Sequence, residues 1–346
     1  VSAPFEPIRL PANQPPQFYR GGDAIAALRG ESGSRKFGPE DWVASTTTLH
    51  GREENGLTRL PCGDRLRDAV RSDPEGWLGT AHVAAFADST ALLVKLLDAG
   101  QRLPVHFHPS DAFARRHFDS HFGKTEAWIV VGTYGDDPRV HAGFREPHSA
   151  RTVADWVRDQ DAPAMLDALN GFPVSPGDTV YIPAGLPHAI GEGVFVVELQ
   201  QPTDFSLTLE WRDFLGDPEK GHLGLGFDTA IEALDTSGWD ADRLATLVRR
   251  TGRAEGATVD LLVDPAADYF RADQLRPAPA LALAPSFAVL VVLDGTGTLR
   301  TEHGAELALS KGDTLVVPHA AGEAELSGEV TVIRCRPPAP DRRPVR

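Results

Sequence analysis

Cysteine is scarce in this sequence. Two occur in 346 residues, Cys62 and Cys335, too few for a disulfide framework and without metal-site spacing. A reducing compartment follows from that. Long apolar runs are missing as well: no stretch approaches the roughly 18 to 20 residues that span a bilayer, so no membrane partner is expected. The opening residues, VSAPFEPIRL, lack the basic-then-apolar layout of a signal peptide, and a cytoplasmic location is the expectation. Positive charge is also in deficit. Lys and Arg number 34 against 49 Asp and Glu, a net charge of -15, which argues against nucleic acid as a partner. An anionic small substrate stays open, because a local pocket can be positive on an acidic protein.

What is present is punctuation. The 33 Gly and 28 Pro suit many short strands joined by tight turns. From Ala91 onward the text runs ALLVKLL, VHFH, EAWIVVG, TVYIP and VFVVELQ, then after Gly256 TVDLLV, FAVLVVL, DTLVVP and VTVIRC. Apolar runs of this length bounded by Gly, Pro or Asp read as buried strands. Between them, residues 149–170 carry apolar residues at helical spacing, with Pro163 dividing two short helices, and a second helical stretch is expected from Thr229 to Arg250. The Pro-rich tail from Pro337 is expected to be mobile. An internal repeat organises the whole. Gly177 is followed after five residues by Pro183, then by Gly185 and His188, while Gly312 is followed after the same gap by Pro318, and both copies open Gly-Asp-Thr. Gly100, five residues, His106, Phe107 and His108 resemble the first motif of cupins, and Gly177 to His188 the second. The resemblance implies an all-β protein with helical insertions, built as two jelly-roll barrels. The length suits this division: residues 1–215 as a metal-binding cupin domain, 216–255 as a helical connector, and 256–346 as a C-terminal cupin. In that second barrel the ligand position falls on Glu323, with His319 off register, so no metal is expected there.

His106 and His108 are separated by one residue, so on a strand both imidazoles point to the same face. Glu126 opens the strand EAWIVVG, and His188 lies just beyond TVYIP. These four side chains make a set of three nitrogens and one carboxylate, which suits zinc and equally manganese, iron, cobalt or nickel. One ion per chain is expected. His117, His121 and His319 belong to no such pattern.

The segments LLVKLLDAGQRLPVHFHPSD, FGKTEAW, PGDTVYIPAGLPHAIGEGVFVVELQQPTD and EW, in that order, resemble class I phosphomannose isomerases, well over Trp42 to Asp213 and weakly beyond. The resemblance implies two cupins with a helical insertion, a bound zinc, and interconversion of mannose 6-phosphate with fructose 6-phosphate. It carries the metal ligands onto His106, His108, Glu126 and His188, with His106 standing where the family has glutamine. Lys124 and Glu198 take the catalytic positions, Lys124 for charge stabilisation and Glu198 for proton transfer, and Asp204 takes the place of the family's following aspartate. The family's arginine falls on Thr208, so that charge is absent. Arg212, Arg115 and Arg116 are the nearby cations in sequence. The partner is therefore a small sugar or sugar phosphate, and the chain a monomer or homodimer. An isomerase of another or unphosphorylated aldose (mannose- or lyxose-like), and a non-catalytic sugar-binding cupin, are the alternatives.

Overall fold

The computed structural model describes residues 5–33, 35–250 and 256–342. Among them, strand residues outnumber helical ones, and the strands gather into three antiparallel sheets. Six strands, in the order Val248–Arg250, Asp178–Ile182, Glu126–Thr133, Val194–Gln200, Leu93–Asp98 and Glu40–Val43, form the first. Five form the second: Leu207–Thr208, His106–Phe107, His188–Ile190, Arg139–Phe144 and Leu169–Pro173. The inward faces of these two share one core, in which Leu97, Val130 and Val196 from the first sheet meet Val140, Ala142 and Ile190 from the second. The result is the antiparallel sandwich of a cupin.

The insertion at 149–170 folds as expected, into helices Ala150–Asp159 and Ala162–Ala168. Ser149 caps the first, accepting from the Thr152 amide, and Asp161 caps the second with Pro163 in its opening turn. Their apolar faces lie on the outer side of the five-stranded sheet, where Val153, Val157 and Met165 pack with Phe107, Phe144 and Ala189. This matters for the site. Because Phe107 is committed to that outer core, its neighbours His106 and His108 face the opposite way, into the sandwich.

The region from Thr229 to Arg250 departs from expectation. It is not one helix but two short ones, Phe227–Ile231 and Ala241–Ala245, followed by strand Val248–Arg250, which joins the six-stranded sheet along Asp178–Ile182. A turn interrupts the helical spacing. The Trp239 indole N–H donates to Asp235 at 2.9 Å, and its ring packs on Gly143, where a Cβ would lie 2.7 Å away. The segment thus belongs to the first sandwich.

The C-terminal sheet has eight strands around two long ones, Ala288–Thr301 and Ala324–Arg336. Strand Ala288–Thr301 shows the period of two: Val289 and Val291 face the core shared with the first sandwich, while Leu290 and Val292 face an interior made with Leu275, Leu315 and Val332. Its far edge is closed by Ile8–Arg9, paired with Val316 and Leu315, so the N-terminal segment reaches across to the second unit. The expected mobile tail is packed at its start, with Pro337 and Pro338 buried and the Pro337 carbonyl accepting from Arg271 at 3.0 Å; its last residues, 343–346, lie outside the described residues.

Candidate metal centre and active site

His106 sits in register with His188 on one side and Thr208 on the other. His108 follows one residue beyond its strand. The three imidazoles offer nitrogen atoms that all lie within 4.8 Å of one another, and all three residues are buried. Each ring is oriented by the backbone: Nδ1 lies 2.8 Å from the Pro104 carbonyl in His106, 2.9 Å from Phe205 in His108, and 2.8 Å from Leu186 in His188. A carbonyl oxygen can only accept, so each Nδ1 carries the hydrogen and each Nε2 presents a lone pair. Orientation of this kind is what a histidine ligand requires.

Glu126, at the start of its strand in the facing sheet, brings one carboxylate oxygen to 3.1 Å from His108 Nε2 and the other to 3.4 Å from His188 Nε2. It adjoins two of the three imidazoles rather than completing the mutual group. Trp128 steadies it, its indole N–H donating at 3.0 Å. Burial pushes the Glu126 carboxyl up, but Lys124 and His108 outweigh that and hold it well below the usual carboxylate range. Burial, with neighbouring His188, drives His106 well below the usual imidazole value, and burial together with Lys124 brings His108 down to about 3. Neutral imidazoles and an ionised carboxylate therefore turn lone pairs toward one another at close range. Such convergence is unfavourable unless a cation lies among them. The Lys124 ammonium meets part of this demand, 3.2 Å from His108 Nε2 and 3.3 Å from Glu126; His188 Nε2 is buried without a hydrogen-bond partner among the described residues. The donor set fits a divalent transition metal.

Next to this centre runs a row of side chains that strand register dictates. Trp42, Lys95, Glu198 and Trp128 are direct cross-strand partners in the six-stranded sheet, so all four share its inward face. Glu198 is 2% exposed. Burial lifts its carboxyl to about 7, against the pull of Lys95 at 3.3 Å. Lys95 also pairs with Glu40 at 3.3 Å and lies over the Trp42 ring at 4.9 Å, and Glu40 accepts from the Tyr19 hydroxyl at 2.5 Å and the Trp42 indole at 2.6 Å. Burial raises Asp204, whose carboxylate accepts from the His50 amide at 3.0 Å.

These groups open on one cavity of about 730 Å³, lined by His106, Glu126, Lys124, Glu198, Lys95 and Asp204, with Thr208 in its wall. Sequence reasoning found His106, Glu126, Lys124 and Glu198 but missed Lys95, Glu40 and Tyr19. For Lys95 a signal existed, a single charge inside the apolar run ALLVKLL. Glu40 has no comparable signature. The arginines named as substitutes for the missing family guanidinium are not in this wall: Arg212 lies over the Trp211 ring at 5.5 Å and donates to the Asp159 carbonyl, and Arg115 and Arg116 sit on helix Asp111–His117, away from the lining.

A family model described as "Mannose-6-phosphate isomerase, cupin domain" matches residues 267–337. Over those residues the chain is similar to the cupin-type phosphomannose isomerases. That match lies in the C-terminal sheet, where the family's motifs are least visible by eye. Similar proteins span both halves. "Probable mannose-6-phosphate isomerase GmuF" of Bacillus subtilis strain 168 is 27% identical over 301 residues, covering 85% of this chain and 88% of that protein. The mannose-6-phosphate isomerase of Streptococcus mutans is 28% identical over 250 residues, covering 70% and 72%. The crystal structure of the Bacillus subtilis mannose 6-phosphate isomerase superposes with a TM-score of 0.71 at 22% identity, over 95% of this chain and 99% of that one, a likeness of fold. No described helix is long and apolar enough to cross a membrane.

Proposed function

We propose that this protein is a metal-dependent aldose–ketose isomerase that interconverts mannose 6-phosphate and fructose 6-phosphate. The observation that supports the reading is a convergent group of His106, His108 and His188, with Glu126 beside it, next to a cavity lined by His106, Glu126 and the buried Glu198, in a cupin whose relatives are named for that reaction. His106, His108, His188 and Glu126 would hold the ion, and zinc is the ion we expect. Bound there, a divalent ion would polarise the oxygens of an open-chain sugar and lower the acidity barrier at the carbon between them.

The chain's own residues supply the rest. Glu198 in its carboxylate form takes the proton from the second carbon and returns it to the first, while the hydroxyl proton on the second carbon's oxygen moves to the first carbon's oxygen. Atoms and charge balance, since the same proton leaves and re-enters. Lys124 and Lys95 place ammonium groups where negative charge grows on the two oxygens. The buried walls, with Trp128 and Trp42 among them, keep bulk water from the carbanion-like centre. A cytoplasmic setting is consistent with the two free cysteines. Thr208 favours a second reading, an isomerase of an unphosphorylated aldose, because a short neutral side chain stands where the resembled family has a guanidinium.

Purified protein supplied with zinc and mannose 6-phosphate should form fructose 6-phosphate. His108→Ala should lose both tight metal binding, read by elemental analysis, and turnover. Normal metal content in that variant would remove the ligand assignment, and ketose formation from free mannose alone would select the second reading.

A further inference from the structure

The cavity has a buried end and an exposed end. Buried Lys95 and Lys124 are each committed to carboxylates, Lys95 to Glu40 and Glu198 and Lys124 to Glu126. Two further cations line the cavity, Arg52 and Lys220, and both are exposed. Neither forms an ion pair among the described residues. Arg52 is set by a tight loop, its amide donating to the Leu49 carbonyl at 2.9 Å, and Lys220 is carried on the short helix Pro218–Gly221. Two different parts of the chain thus bring uncommitted cations to the rim. Glu219 also lines the rim and is exposed, and its carboxylate faces His222 at 3.8 Å.

We infer that Arg52 and Lys220 receive the anionic end of a phosphorylated aldose at the mouth of the cavity. This rests on the isomerase reading and adds the residues that would make it specific for a phosphate. The physical case is one of division of labour. A sugar whose carbonyl end lies at the metal ligands and Glu198 must extend its far end toward the opening. A phosphate dianion there gains from a planar guanidinium fork and a second point charge. It pays little desolvation, because the rim is open to water. The inner lysines are poor alternatives, since turning either toward a phosphate would leave a buried carboxylate without its cation.

Contacts made equally in the ground state and the transition state change KM and leave kcat. Arg52→Ala and Lys220→Ala should each raise KM for mannose 6-phosphate by about tenfold, and the double variant by roughly a hundredfold, with kcat little changed. Arg52→Lys should recover part of the loss. Added salt should raise KM in the wild type and have a smaller effect in the double variant. A KM within twofold of wild type in the double variant overturns the inference while leaving the isomerase reading intact. Should the wild type convert only free aldoses, the phosphate part of the isomerase reading fails. Inorganic phosphate binding, measured by calorimetry on wild type and double variant, then decides the inference separately: loss in the double variant supports it, and equal binding or no wild-type binding overturns it. Both side chains are exposed, so circular dichroism should report unaltered folding.

Discussion

Glu198 faces Lys95 from the neighbouring strand Leu93–Asp98, Glu126 from the strand on its other side, Lys124 from the segment just before that strand, and Glu40 from beyond Lys95. A carboxyl held at about 7 can exchange protons with little penalty near neutral pH. Its base form is the ionised one, so kcat/KM should rise with pH through a limb near 7 and flatten above it. Lys95→Met removes the cation that favours ionisation, and the limb should move to higher pH. Glu198→Gln should lower kcat by about two to four orders of magnitude and abolish the limb while the metal stays bound. Turnover near the wild-type rate would take Glu198 out of the mechanism. At this scale the sequence was informative where spacing carries geometry. The His-x-His pair places two imidazoles on one face by strand alternation alone. Lys95 and Glu40 depend on which strands become neighbours, and no local pattern reports that.

The segment carrying Lys124 and Glu126 is held by a small hydrogen-bond clamp. Gln201 accepts from the Thr125 amide at 2.9 Å and donates to Asp111 at 2.8 Å. The same Asp111 oxygen accepts from the Gly123 amide at 2.9 Å, and the Lys124 amide donates to the Pro109 carbonyl at 2.9 Å. The chain just after His108 is thereby fastened to the chain just before Glu126, so two ligand-bearing elements share one geometry. Partners that orient ligands typically affect metal affinity by about 10–100-fold when lost. Gln201→Ala should weaken metal binding by that order, read by chelator competition, with the fold retained by circular dichroism. Affinity equal to wild type would mean the strands alone position Glu126. The Gly-Asp-Thr repeat made the paired cupin elements visible in advance, because a turn, a strand and a proline stop recur at fixed spacing. The span from Thr229 to Arg250 misled because a short run of apolar residues has the same spacing whether a helix continues or a turn at Trp239 redirects it into a strand.

Across the whole molecule, the first sandwich and the C-terminal sheet are joined through the N-terminal segment. Arg29, at the end of helix Asp23–Arg29, pairs with Asp41 on strand Glu40–Val43 at 2.6 Å and donates to the Thr314 hydroxyl at 2.9 Å on the C-terminal sheet. Nothing in the linear pattern announces this, since the partners stand 285 residues apart and the two-residue strand Ile8–Arg9 is too short to show a period. Asp41 is fully buried, and burial raises its carboxyl despite Arg29. A group whose folded pKa is raised contributes stability below its unfolded value and loses it as pH climbs through the folded one. Removing Arg29 raises the folded value of Asp41 further, so the penalty must grow with pH. Arg29→Met should cost roughly 3–5 kcal/mol in urea unfolding at pH 8, the usual consequence of stranding a buried charge. At pH 5, where a protonated Asp41 is easier to bury, the cost should be smaller. An equal loss at both values would show that Arg29 acts through packing and its Thr314 bond, leaving the Asp41 charge without part in holding the halves together.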